Sequence, residues 1–297
     1  MGSFEGSIFV KLVVIPVSVA LVGLLLTNLL RRWQSLSGFL LALSLAGSFV
    51  AADWLLRGTS ETWWHADVTR RLPYFALLAS LIAGMETVWR EEKSFFKHGF
   101  LFLLNIGVSI FVAWQMTSIA EPRWFWVSII TVTLTMLMTG LSLPLPLNLS
   151  WLALGNWALV AGLTGGLLTL SGSASLGLVS VAFGCALGSL ALVQMRWKTI
   201  CWQAVAGIFS VALVGLVLSG QQFAELPISS AVLMIVSPFS VLLLKLPWLQ
   251  KRYWVSVAAV LLTTLALLGV AGWLAKPVVN TSDLKDSSNP YADYYRK

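Results

Sequence analysis

Residues 124–195 read WFWVSIITVTLTMLMTGLSLPLPLNLSWLALGNWALVAGLTGGLLTLSGSASLGLVSVAFGCALGSLALVQM, and these 72 residues hold no Asp, Glu, Lys, Arg or His. Only Cys185 among them could ionise. A water-facing surface cannot be built from such a stretch, since soluble domains are roughly 25% charged. Short connections at Pro144–Ser150 and Ser171–Ser173 divide it into three apolar runs, 124–143, 151–170 and 174–195. Each run has about the 20 residues a helix needs to cross ~30 Å of hydrocarbon. In lipid a spanning backbone must satisfy its own polar groups, which leaves helices and closed barrels. A barrel strand alternates apolar and polar residues, whereas these runs are continuous. The stretch therefore reads as three successive transmembrane helices.

Working outward with the same ruler gives spans at 8–30, 36–56, 72–89 and 99–119 before it, and at 199–219, 227–244 and 253–275 after it. The expected fold class is an all-α polytopic integral membrane protein. Residues 1–275 form a single bundle of about ten transmembrane helices with short loops, followed by a polar, flexible tail at 276–297. The whole chain agrees: of 297 residues, 58% are hydrophobic and 10% charged, with a mean hydropathy of +0.86. That balance excludes a soluble globular protein, a disordered chain and a disulfide scaffold.

The net charge of +7 does not point to nucleic acid. Its basic residues sit singly or in pairs at the ends of apolar runs, as in Arg31-Arg32, Arg90 and Lys93, Arg196 and Lys198, and Lys251-Arg252. That is how a membrane protein meets lipid headgroups and sets its orientation. Counting Lys and Arg near helix ends, the odd-numbered loops carry ten, and the loops of the opposite side with the near part of the tail carry six, or seven with Lys11. Both termini are therefore expected to be non-cytoplasmic, in a plasma or bacterial inner membrane. Tryptophans such as Trp33, Trp54, Trp89, Trp124, Trp254 and Trp273 fall at expected helix ends, where an amphipathic ring prefers the headgroup level. The first apolar run is too long for the h-region of a cleaved signal, and Glu5 precedes it rather than a basic cluster.

Polar chemistry inside the spans is sparse, and each charge there is costly. Asp53 has Arg57 four residues on, and Glu86 has Arg90, so each acid has a cation on its own helix face. Both read as interfacial, snorkelled pairs. No span carries an acid or histidine at mid-depth, which argues against a proton relay of that type. Asn28, Glu86, Asn105, Asn156 and Gln203 lie three to seven residues in from expected cytoplasmic ends, in one slab about 5–10 Å deep. This polar layer is either the floor of a binding cavity or a set of interhelical hydrogen bonds worth ~0.6 kcal/mol each. Pro16 and Pro238 lie inside the first and ninth spans and should kink them.

Gly162 and Gly166, like Gly184 and Gly188, are four residues apart, and Ser173 and Gly177 extend the seventh span's small stripe. Such spacing permits close helix packing, here read as a hairpin of the sixth and seventh spans. The longest connection, RGTSETWWHADVTRR at 57–71, offers Trp63, Trp64, His65 and Asp67 as a partner-binding loop. Glu61, His65 and Asp67 lack recognised zinc spacing. Cys185 and Cys201 read as free, buried residues. No phosphate loop, nucleophile elbow or HExxH motif occurs, so no catalytic site, metal or cofactor is expected.

Ten spans in this length resemble the general shape of the drug/metabolite transporter families, whose two five-helix halves are inverted repeats. The resemblance covers topology alone. Residues 8–143 and 151–275 show no internal repeat, and no site is carried across. The expected function is that of a small-molecule permease with a polar layer near the cytoplasmic side. The alternative is a non-catalytic membrane subunit or scaffold, meeting a membrane-protein partner or a second copy through the Trp-rich loop and Gly-rich helices. Membrane lipids are expected partners in either case.

Overall fold

Apolar runs that must hydrogen-bond to themselves become helices wherever the chain is described. The computed structural model describes residues 8, 10–29, 34–57, 68–89, 95–117, 123–141, 149–197, 202–250 and 252–275. It is 94% helical and has no strand among those residues. In order, the helices are α1 (Ile15–Leu29), entered through a π-helical turn at Val10–Val14, and α2 (Gln34–Arg57). Next come α3 (Leu72–Trp89), preceded by a 3-10 turn at Val68–Arg71, α4 (Phe95–Met116) and α5 (Arg123–Leu141). They are followed by α6 (Ser150–Leu170), α7 (Ala174–Trp197) and α8 (Trp202–Phe223). The ninth span begins as α9 (Ile228–Val236) and continues as a 3-10 helix, Ser237–Lys245; a single turn at Pro247–Gln250 then leads to α10 (Tyr253–Leu274). Nine helices among the described residues are long and apolar enough to cross a membrane. The chain is an all-α, multi-pass membrane protein.

Two spans are shifted from their expected limits, and the second shift has a local cause. The fourth, expected at 99–119, runs Phe95–Met116. The eighth, expected at 199–219, runs Trp202–Phe223, past Gly220 and two glutamines. Gln222 makes the extension worthwhile, because its Nε2 donates to the carbonyl of Met116 at 3.0 Å. That carbonyl lies in the last turn of α4, where no intrahelical donor exists. Pro16 is the second residue of α1, directly after the π-turn. Its ring would press on the carbonyl four residues earlier in a regular α-helix, and the wider turn at Val10–Val14 relieves this.

The bundle is organised around α8. In Val205–Phe223, 89% of residues are buried, against 28% in the windows of α1 and α10. Helices α2, α3, α5, α6 and α9 all pack on it. Trp157 of α6 is fully buried and stacks on Phe209 of α8, with centroids 5.1 Å apart and planes 9° from parallel. On the far side, Phe49 of α2 meets Phe183 of α7 edge-on at 5.2 Å.

The tightest pairing is the α6–α7 hairpin, as the small-residue spacing implied: Gly177 and Gly184 lie at the contact, joined by Gly165, which the spacing had not singled out. A Cβ on Gly165 would lie 2.6 Å from the Gly177 carbonyl oxygen, and one on Gly184 would lie 2.9 Å from that of Ala158. Gly166, by contrast, faces open space, and a Cβ on Gly188 would meet Ala158 at an ordinary 3.7 Å. Ser180 locks the approach by donating to the Ala161 carbonyl at 2.7 Å. The hairpin turns at Gly172, whose φ of +108° suits glycine and lets Ser173 N–H reach the Leu168 carbonyl at 3.0 Å.

Candidate functional site

The ninth span changes its winding midway. Pro238 lacks an N–H, so the α-helical ladder cannot continue through it, and from Ser237 the chain winds as 3-10 helix for nine residues. Such helices seldom exceed three or four residues, and longer ones mark hinges or strained sequence. At three residues per turn, Ser237 and Ser240 fall on one edge, and both are buried. The Ser237 hydroxyl turns back to the Met234 carbonyl at 2.8 Å, while Ser240 points at its neighbours.

Those neighbours are Asn156 of α6 and Thr264 of α10. Asn156 Nδ2 donates to Ser240 Oγ at 3.0 Å, and Thr264 Oγ1 donates to Asn156 Oδ1 at 2.7 Å. Ser240 Oγ and Thr264 Oγ1 are 2.7 Å apart. Each hydroxyl has one proton, so the consistent assignment is a closed ring: amide to Ser240, Ser240 to Thr264, and Thr264 back to the amide oxygen. Thr264 Oγ1 also lies 2.9 Å from the Val260 carbonyl, a second acceptor for the same proton. Asn156 and Thr264 are fully buried and Ser240 is 5% exposed. Hydrogen bonds closed in one direction polarise one another. The ring thus pins the 3-10 segment to α6 and α10. Chemically it offers an amide and two hydroxyls, with no ionisable group.

Of the five polar-layer residues, Asn105 and Asn156 have described side chains, and they go to different places. Asn156 is six residues into α6 and joins the ring. Asn105 is ten residues into α4, because that helix starts at Phe95, and is buried one turn before Ser109. No hydrogen bond links the two asparagines. Asn28, Glu86 and Gln203 lie in α1, α3 and α8, but their side chains fall outside the described residues. So do Trp63, Trp64, His65 and Asp67 of the long connection, and the tail at 276–297.

A second polar locus gathers where that connection rejoins the bundle. Asp53 and Arg57 form the expected pair, with Arg57 Nε donating to Asp53 Oδ1 at 2.6 Å. The pair is not snorkelled: its side chains are 8% and 6% exposed. Arg57 also reaches Thr69, donating to its Oγ1 at 2.9 Å and its carbonyl at 2.7 Å. The planar guanidinium can serve three acceptors at once, and this draws it inward. Nearby, Arg71 donates to Gln115 Oε1 at 2.8 Å. Arg123 donates to the Trp114 carbonyl at 2.9 Å and lies 3.8 Å above that ring's centroid. These arginines tie the ends of α2, α3, α4 and α5 together.

Ser240 and Thr264 escaped sequence reasoning because serine and threonine are unremarkable in membrane helices, where they usually bond their own backbone. The buried bond from Gln194 Nε2 to Ser150 Oγ, at 2.7 Å across the other end of the α6–α7 hairpin, escaped it likewise. Among the described residues, no group of three His, Cys, Asp or Glu is placed to hold a metal ion. No protein-family model matches the chain, and no curated protein matches it. The fold and the ring together define a multi-pass helical membrane protein with a buried, uncharged polar centre at an interrupted helix.

Proposed function

We propose that this protein is a small-molecule permease whose substrate-handling region is the Asn156–Ser240–Thr264 ring and the 3-10 half of the ninth span. The reading is carried by one observation, the nine-residue 3-10 segment Ser237–Lys245 fastened to two helices by a closed polar ring. Interrupted helices in bundle interiors supply backbone and side-chain partners to solutes where lipid cannot reach. The interruption is also a natural two-position device. Rewinding nine residues from 3-10 to α geometry would shorten them by ~4–5 Å and turn one end by about half a revolution. Such a change would carry Ser240 out of the ring. With only an amide and hydroxyls on offer, the substrate is a neutral, polar molecule.

The alternative of a scaffold is weakened because Gly165, Gly177 and Gly184 are occupied in the α6–α7 contact rather than facing a partner. We read the chain as a carrier and not an enzyme, in keeping with its lack of catalytic motifs. The test is a pooled uptake assay. Proteoliposomes holding the full chain are incubated with a mixture of neutral and charged metabolites, and their contents are read by mass spectrometry. At least one neutral solute should enter with the native protein and be lost with Asn156→Leu. Uptake no greater than in empty liposomes would overturn the reading, as would uptake indifferent to Asn156.

A further inference from the structure

The seam between α4 and α5 carries four polar side chains, Asn105 and Ser109 buried and Thr131 and Thr135 half-buried with enclosed hydroxyl oxygens, that the bundle itself leaves poorly bonded. Asn105 is 7% exposed and forms no hydrogen bond among the described residues. Ser109, one turn along the same face, is fully buried and reaches only Met138 Sδ at 3.8 Å, a weak acceptor. Thr131 and Thr135 of α5 have hydroxyl oxygens shut off from the surface with no hydrogen-bond partner. With Met138 they stand at positions i, i+4 and i+7, so they share the flank that Ser109 touches.

The same helix supplies its own comparison. Ser128, Thr133 and Thr139 turn their hydroxyls back to the carbonyls of Trp124, Ile129 and Thr135 at 2.9, 2.8 and 2.6 Å. This back-bonding is the ordinary refuge of a hydroxyl in lipid. Thr131 and Thr135 forgo it only on the flank toward α4. A buried donor without a partner is costly, and two such hydroxyls in line with a weakly bonded serine and a buried amide call for a common partner. No ionisable side chain lies between Gly99 and Met116 of α4 or between Trp124 and Leu141 of α5, so a charged guest would find no counterion. From Asn105 to Ser109 is four residues, and from Met138 to Thr131 seven, so the line extends ~16 Å along the bundle.

We infer that the α4–α5 seam is a binding site for small, neutral, hydroxyl-bearing molecules, a file of water or a linear polyol, held by Asn105, Ser109, Thr135 and Thr131. This site is separate from the Asn156 ring and does not depend on the permease reading.

Accessibility to water tests it without any transport assay. In a chain carrying Cys185→Ala and Cys201→Ala, single cysteines are placed at Ser109 and Thr135, and at Leu103 and Met136 as controls. The two controls face outward, at 65% and 62% exposure of the protein surface. A membrane-impermeant methanethiosulfonate reacts with thiolate, which forms only where water reaches. In proteoliposomes the seam cysteines should react at least ~10-fold faster than the controls. Rates no higher than at Leu103 and Met136 would overturn the proposal. Repeating the reaction with erythritol separates the sources, since protection indicates a polyol and unchanged labelling indicates water. Thr131→Val and Thr135→Val give a second reading that needs no cysteine. A dry, unpaired hydroxyl would make the apolar isostere more stable, so a raised Tm would overturn the proposal, and an unchanged or lowered Tm supports it.

Discussion

At the residue scale, the ring makes a sharp claim about coupling. Thr264→Val removes a donor from Asn156 Oδ1 and an acceptor from Ser240, so it should cost about 1–3 kcal/mol. Ser240→Ala should cost a similar amount. If the three bonds close on one another, the double variant should be less unstable than the sum by about 0.5–3 kcal/mol. Strict additivity in detergent unfolding would sink the ring. Arg57 makes a separate claim. Arg57→Ala takes the guanidinium from a carboxylate that is 6% exposed, at the end of a helix whose dipole already disfavours an acid. The loss should be about 3 kcal/mol or more, and Arg57→Lys should restore little of it because an ammonium lacks the fork that serves Asp53 and Thr69 together. Recovery of the native Tm by lysine would mean that charge alone matters. Of these groups, Asp53 with Arg57 and the lone Asn156 were legible in one dimension, since a charge or amide inside an apolar run is conspicuous. Ser240 and Thr264 were not, because a hydroxyl's partner is chosen by three-dimensional packing. Nor was the depth of Arg57 legible, since spacing establishes the pair and says nothing of Thr69 closing over it.

At the element scale, the spans were legible to within a few residues because length and hydropathy are set by the bilayer. The winding of the ninth was legible only as a disturbance at Pro238; its nine-residue length, and the partners that hold Ser240 within it, were not, since Asn156 and Thr264 lie far away in sequence. The glycine pattern was legible as a hairpin but not in register, since small residues on both sides of a helix look alike until its partner is placed. Register can be tested directly. Gly165→Ala puts a methyl 2.6 Å from the backbone oxygen of Gly177 and 2.7 Å from Val181, so it should destabilise the hairpin by about 1–3 kcal/mol. Gly166→Ala meets nothing within 4 Å and should be neutral, or slightly stabilising through its better helix propensity. Thermal unfolding of the two variants, which differ by a single position, measures the register. Equal effects would mean that the helices are rotated from this arrangement.

At the scale of the whole molecule, the position of α8 was hidden from sequence for a physical reason. Hydrocarbon tails are as apolar as a leucine core, so burial in protein and burial in lipid select for the same residues. The least exposed helix is in fact less hydropathic than α1 and α10, which stand at the rim. Lipid contact favours apolar side chains, but a hydroxyl can be returned to its own backbone in either setting, as Ser210 and Ser219 do in the interior, to the Ala206 and Gly215 carbonyls at 2.7 Å, and as Ser128 and Thr133 do on the exposed side of α5. Hydropathy therefore finds the spans and is blind to their order from the centre. A lipid-borne diazirine reads that order, because its carbene inserts only into side chains that touch the acyl chains. In proteoliposomes, label should fall on Leu103 of α4, Met136 of α5 and Leu262 of α10, which are 65%, 62% and 66% exposed on the protein surface. Peptides from residues 205–220, every one of which is buried, should carry almost none. Comparable labelling of α8 and α10 would mean that α8 is not central, and with it would fall the support that Trp157 and Phe209 give to the α6 wall of the ring.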